Sequence, residues 1–186
     1  MASDAFDVVF ICTGNRFRSA IAQALLTQLT EGLPVQATSA GTLELGPARV
    51  LPESLELAPG LGIDLTAHRA RWIRDLDLAD TGLVLGFELV HVATAVVDCG
   101  APRDRSFTLP ELVSLFPEGL PAAADGDPVA RARAAVRAAH EARDSDGRRL
   151  ELGDPLGGTP ELFRQTAAEV RVLTERLAAV LFGVSA

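Results

Sequence analysis

Short unbroken apolar runs alternate along this chain with stretches whose apolar residues recur every three or four positions. FDVVFIC, Phe6–Cys12, is continuous and β-branched and predicts a buried strand. Ala20, Ile21, Ala24, Leu25 and Leu29 then keep helical spacing up to Gly32 and Pro34. Pro34–Thr42 predicts a second strand, Glu53–Leu61 a helix stopped by Gly60 and Gly62, and His68–Asp77 another short helix. Thr81–Phe87 and Arg105–Leu109 predict two more strands. Between them Glu88–Val97 has ambiguous helical spacing, and Pro110–Phe116 follows as a short helix. Pro117–Asp127, rich in Pro, Gly and Ala, reads as a surface loop. Asp127-Pro128 caps a helix running to about Arg143, and Ser145–Arg149 is loop. A last helix starts at Thr159-Pro160, with Leu162, Phe163, Ala167, Val170, Leu173, Leu177 and Val180 on its apolar side. Strands alternating with helices imply an α/β fold, a parallel sheet covered on both faces.

Composition narrows the classes. The 186 residues fit one domain, with 48% hydrophobic and 23% charged residues, as in a soluble globular protein. No apolar run approaches the ~20 residues of a membrane span, and the acidic start MASDAFD is unlike a secretory leader. Two cysteines, Cys12 and Cys99, make no disulfide framework, which fits a reducing, cytoplasmic setting. A net charge of −8 argues against nucleic acid or an anionic membrane as partner, so any anionic ligand needs a local site. Oligomeric state is not legible. Abundant Ala, Arg, Leu and Asp suggest a GC-rich genome.

CTGNRFRS, Cys12–Ser19, joins the first strand to the first helix, at the strand end where such folds bind ligands. A loop of this length wrapping onto a helix start aims backbone N–H groups at one point and makes an anion nest. Gly14 permits the backbone angles a nest needs, and Asn15 tolerates a left-handed conformation. Arg18 can clamp two oxygens of the same anion. A thiol at Cys12 facing N–H dipoles and a guanidinium is favoured as thiolate, with Ser19 able to donate to it. A thiolate beneath a bound phosphate is placed for in-line attack on phosphorus, giving a phosphocysteine whose transition-state charge the nest and Arg18 hold.

The C-x5-R-S loop after the first strand, together with Asp154-Pro155 before the last helix, resembles the low-molecular-weight protein tyrosine phosphatases, in a bacterial, actinobacterial-type form. Thr38–Thr42 resembles the family's Ser-Ala-Gly loop, and Gly62–Arg71 its segment bearing a structural histidine. The resemblance implies a three-layer, Rossmann-like fold with a four-stranded parallel sheet flanked by helices, spanning 1–186 as a single domain. It implies catalysis by Cys12, Arg18 and Asp154, the last as general acid and base, and phosphate binding by Thr13, Gly14, Asn15, Arg16, Phe17 and Arg18. Ser19, Ser39 and His68 would support the loop, His68 through a bond to Asn15. No cofactor and no metal is implied, and the substrate would be a phosphorylated protein or a small phosphomonoester.

Three departures accompany the resemblance. Phe17 stands where many members carry a second cysteine, so no disulfide is expected inside the loop. Leu43, Leu45 and Leu156-Gly157-Gly158 replace the usual pocket aromatics, and Arg16 is expected at the rim, where it would favour a second negative charge on the substrate. The chain around 102–150 is longer than the family needs and reads as an insertion. Other residues have plainer readings: Cys99 as inert, His91 and His140 as helix-surface residues, and Asp7, Asp98 and Asp104 as caps. The Arg131–Arg149 run reads as a solvated face. Two rivals stay open: an arsenate reductase of the same fold, and a phosphate-recognition module without turnover.

Overall fold

The computed structural model describes residues 5–117, 126–146 and 150–184. Four strands, β1 (Phe6–Cys12), β2 (Val35–Gly41), β3 (Leu83–Gly86) and β4 (Ser106–Thr108), form one parallel sheet in the order β2-β1-β3-β4. The helices are α1 (Arg18–Leu29), α2 (Pro52–Leu61), α3 (Leu89–Ala93), α4 (Leu109–Ser114), α5 (Pro128–Asp146) and α6 (Pro160–Phe182).

Side-chain alternation along β1 sorts the core into two layers. Phe6, Val8, Phe10 and Cys12 face α1 and α6, while Val9 and Ile11 face a smaller cluster with Ile73, Leu78, Val84 and Ala95. The fold is therefore the expected α/β Rossmann-like one, with a four-stranded parallel sheet between helical layers. The central position of β1 places its carboxyl end, Cys12, between the ends of β2 and β3.

Both ends of α6 are capped. Thr159 Oγ1 accepts the Leu162 N–H, Pro160 occupies the first turn, and Gly183 closes the helix at φ 73°. Asp127 Oδ1 accepts the Val129 N–H at the start of α5, as the Asp-Pro pair suggests. Val129, Ala132, Ala135, Val136 and Ala139 of α5 enter the main core, so this helix is packed into the sheet's α1/α6 side. No helix among the described residues is long and apolar enough to cross a membrane.

Several local expectations change. His68–Asp77 is non-helical chain apart from one 3-10 turn, Ile73–Asp75, because its backbone is bonded elsewhere: the Arg71 carbonyl accepts the N–H of Gly41 at the end of β2, and the Ala70 N–H donates to the Ala48 carbonyl in the loop after β2. Glu88–Val97 divides into α3 and a π turn, Thr94–Asp98. Leu162 is exposed, lying at the edge of the α6 stripe. Arg143 is not a solvated member of the arginine run. Its guanidinium lies 3.6 Å over the Phe107 ring and donates to the carbonyls of Ser106 and Arg103, covering β4 at the sheet edge. Most of Pro117–Asp127, and 147–149 of the final loop, lie outside the described residues.

Candidate active site

Where β1 ends, the chain turns through Cys12–Phe17 and enters α1 at Arg18. The turn requires one left-handed residue, and Asn15 supplies it at φ 52°. That conformation brings the Asn15 N–H to 3.2 Å from Cys12 Sγ, with Ser19 Oγ at 3.0 Å on the same sulfur. Among the described residues no protein acceptor takes the N–H groups of Gly14, Arg16, Phe17 or Arg18. The loop is thus a cradle of unspent donors around a buried sulfur, a site for a tetrahedral oxyanion.

A buried net holds this shape. Asn15, fully buried, donates from Nδ2 to Ser19 Oγ at 2.9 Å and to Ser39 Oγ at 2.7 Å. Ser39 donates onward to Gln23 Oε1, and Asn15 Oδ1 accepts the Arg71 N–H. His68 Nε2 meets the Asn15 backbone carbonyl at 3.0 Å, so the histidine reaches the loop asparagine through its main chain. Burial lowers the His68 pKa more than the bond to Asn15 raises it, and nearby Arg71 and Arg69 lower it further. Gly41, paired with Cys12, lets β2 pass the loop: a Cβ there would stand 2.8 Å from Thr13 O and 2.9 Å from Asn15 N. Phe17 turns inward, edge-on to Phe163 at 5.1 Å, so it contributes its N–H to the cradle and its ring to the core.

Arg18 is 1% exposed, and both terminal nitrogens of its guanidinium are partnered. Nη1 donates to Glu88 Oε2 at 2.7 Å and to the Leu152 carbonyl at 2.8 Å, while Nη2 donates to Asp154 Oδ2 at 2.6 Å and to Thr13 Oγ1 at 3.3 Å. Phe87 lies 5.7 Å below the guanidinium carbon. A buried cation needs such compensation, and these contacts fix the plane of its fork. Asp154 is one-third exposed and braced at Oδ1 by the Leu156 N–H, so its carboxylate stands beside the cradle mouth. Residues 142 positions apart in sequence, Cys12 and Asp154, are thereby joined through Arg18.

Two side chains here were not among the site residues expected from the sequence. Glu88 follows β3 at its carboxyl end, the position where such sheets bind ligands, and that placement was a usable signal. His91 is a correction: it is fully buried, not on a helix surface. Its Nδ1 accepts the N–H groups of Glu88 at 3.0 Å and Phe87 at 3.3 Å, so the proton sits on Nε2, 3.1 Å from Thr13 Oγ1. Burial, and then the Arg18 charge, push its pKa down to about 4, against the opposing pull of Asp154 and Glu151.

The family model described as "Low molecular weight phosphotyrosine protein phosphatase" matches residues 7–117. The chain belongs to this family. A protein-arginine-phosphatase of Bacillus subtilis is 27% identical over 174 residues, covering 92% of this chain and 94% of that one. Among solved structures, the low molecular weight protein tyrosine phosphatase from T. tengcongensis superposes with a TM-score of 0.69 at 26% identity, covering 93% of this chain and 97% of that one. The YwlE arginine phosphatase, in a variant with a phosphorylated active-site serine, gives 0.66 at 25% identity, covering 93% of each. This low-molecular-weight phosphatase is accordingly a cysteine-dependent phosphomonoester hydrolase of a family acting on phosphorylated proteins.

Around the phosphatase cradle the walls are aliphatic. Leu43, Leu45 and Leu156 are exposed at 53%, 44% and 68%, where ring-lined pockets would stack an aryl group.

Proposed function

We propose that Cys12, Arg18 and Asp154 carry the hydrolysis of a phosphorylated protein side chain, with phosphotyrosine as the leading substrate. The observation that supports this is the single Arg18 fork shared by the Cys12 loop and Asp154. The Cys12 thiolate attacks phosphorus, the S–P bond forms as the P–O bond to the side chain breaks, and the Asp154 carboxylic acid gives its proton to the leaving oxygen. Water then attacks the phosphocysteine, the Asp154 carboxylate takes its proton, and the S–P bond breaks to release phosphate. The N–H groups of the loop and Arg18 hold the equatorial oxygens throughout. Ser19 donates to the thiolate when it leaves phosphorus, while Asn15, Ser39 and His68 keep the loop in shape.

A second reading, phosphoarginine, is favoured by the full-length likeness to arginine phosphatases and by three carboxylates, Glu88, Glu151 and Asp154, on one flank of the cradle. A guanidinium leaving group would find its countercharge there. An arsenate-reductase relay is disfavoured, since Cys99 packs on the opposite face of the sheet from Cys12 and burial raises its thiol pKa. A small phosphomonoester remains a further substrate class, the cytoplasm the compartment its free cysteines suit, and 102–150 an insertion within one domain.

The test is release of p-nitrophenol from its phosphate by the wild type and its loss in Cys12→Ser, followed by paired phosphotyrosine and phosphoarginine peptides. Turnover retained in Cys12→Ser would contradict the proposal.

A further inference from the structure

The charge around the cradle is divided. Glu88, Glu151 and Asp154 occupy the flank built from β3, α3 and the chain before α6. The opposite flank is built from the loop after β2 and the start of α2; Arg49 stands on it, and Arg16 of the cradle loop is bonded to it.

Arg16 is fixed there by its own backbone and by one side-chain bond. Its carbonyl accepts the Leu51 N–H and the Ser54 hydroxyl, which tie the loop to the start of α2. Its Nε donates to the Arg49 carbonyl at 2.7 Å, which sets the direction of the guanidinium. The two terminal nitrogens then have no acceptor among the described residues, and neither has the exposed Arg49 guanidinium. The Arg16 stem lies 3.9 Å from where a Gly14 Cβ would stand, beside Leu45 at 3.4 Å, so it borders the accessible face of the cradle loop. The carboxylates of this flank are Glu44, on the loop, and Glu53, in the first turn of α2; no ion pair joins either to Arg16 or Arg49. A half-buried arginine held by its Nε, with both terminal nitrogens unspent, is pre-organised for a planar oxyanion. In a chain of net charge −8, this local pair is a selective feature rather than part of a general basic field.

The geometry points to a second anion subsite on this flank, in which Arg16 and Arg49 bind a carboxylate, or a second phosphate, on the substrate chain beside the phosphorylated residue. This rests on the phosphatase reading above and names the substrates that reading leaves open: phosphorylated segments with an acidic neighbour.

The experiment compares kcat/KM for paired phosphopeptides that differ only in an Asp or an Asn next to the phosphorylated residue, alongside p-nitrophenyl phosphate. At low salt the wild type is expected to favour the acidic peptide about threefold to fivefold, mainly through KM, as for a partly screened ion pair. Arg16→Gln and Arg49→Gln should each reduce that ratio, and the double variant should bring it to about one. Arg49→Gln should leave turnover of p-nitrophenyl phosphate unchanged. A ratio near one in an active wild type, or one that survives in the double variant, overturns the subsite alone. No turnover of any of the three substrates overturns the catalytic reading and the subsite together.

Discussion

His91 Nε2 stands 3.1 Å from Thr13 Oγ1, and Thr13 Oγ1 in turn accepts from Arg18 Nη2 at 3.3 Å. Both donors point at one hydroxyl oxygen, so the Thr13 side chain is a fixed acceptor that helps set the Arg18 fork. The tautomer is imposed from behind by two backbone N–H groups on Nδ1. Replacing the hydroxyl in Thr13→Val leaves His91 and one Arg18 donor unsatisfied. We expect kcat to fall about tenfold, roughly 1.4 kcal/mol of transition-state stabilisation, with stability reduced by about 1–2 kcal/mol. Thr13→Ser should recover most of the rate. Steady-state kinetics of the two variants check this, and equal rates in both would count against the role.

The same histidine gives a pH signature. Its pKa falls from 6.5 to about 4 in the folded protein, so between those values the unfolded chain binds the extra proton. The stability it contributes is complete above pH about 6.5 and is lost as pH falls toward 4, of the order of 3 kcal/mol in all. His68, also lowered, acts with the same sign. Urea unfolding of the wild type and His91→Asn across this range should show a shallower pH slope in the variant. Parallel slopes would remove His91 as the source.

Gly41→Ala tests the close passage of β2. The added methyl would meet backbone, not a flexible side-chain end, at 2.8–2.9 Å on Thr13 and Asn15. Either β2 or the cradle must shift. A displaced cradle costs N–H geometry on the anion, so competitive binding of inorganic phosphate should weaken about tenfold or more. Unchanged phosphate inhibition would show that the contact is absorbed elsewhere.

Much of this site was legible in the sequence because its chemistry is local. Cys12 to Ser19 form one turn, and the strand before it and the helix after it carry strong periodicity. Asn15 was marked by its tolerance of φ above zero, which it indeed adopts. What the sequence hid was long-range burial. His91 in ELVHVATAV has the look of a surface residue, and only the packing of α3 under β3 buries it. Glu88 has only a helix-cap partner nearby, His91, and its carboxylate acquires its meaning from Arg18, 70 positions away. Arg143 is similar: one arginine in a run of them, distinguished by the edge strand it covers. The His68–Asp77 segment went astray because its backbone bonds are spent on other loops, which periodicity does not register.

Phe17 leaves Cys12 without a thiol neighbour in the loop, and Cys99 is across the sheet. Under sustained peroxide, Cys12 in a Cys99→Ser background should pass through sulfenic to sulfinic acid, seen by mass spectrometry, and activity should not return with a thiol reductant. Full recovery after prolonged exposure would mean that another reversible cap forms.

The covalent step is the centre of the mechanism, and acid-quenching the enzyme during turnover of p-nitrophenyl phosphate examines it directly. Asp154→Asn should accumulate the intermediate, because the base that activates water is gone. Peptide mapping by mass spectrometry is expected to locate a phosphoryl group on Cys12, more abundant in that variant than in the wild type. A variant that still turns over with no phosphoryl group on Cys12, or with one on another residue, would contradict it.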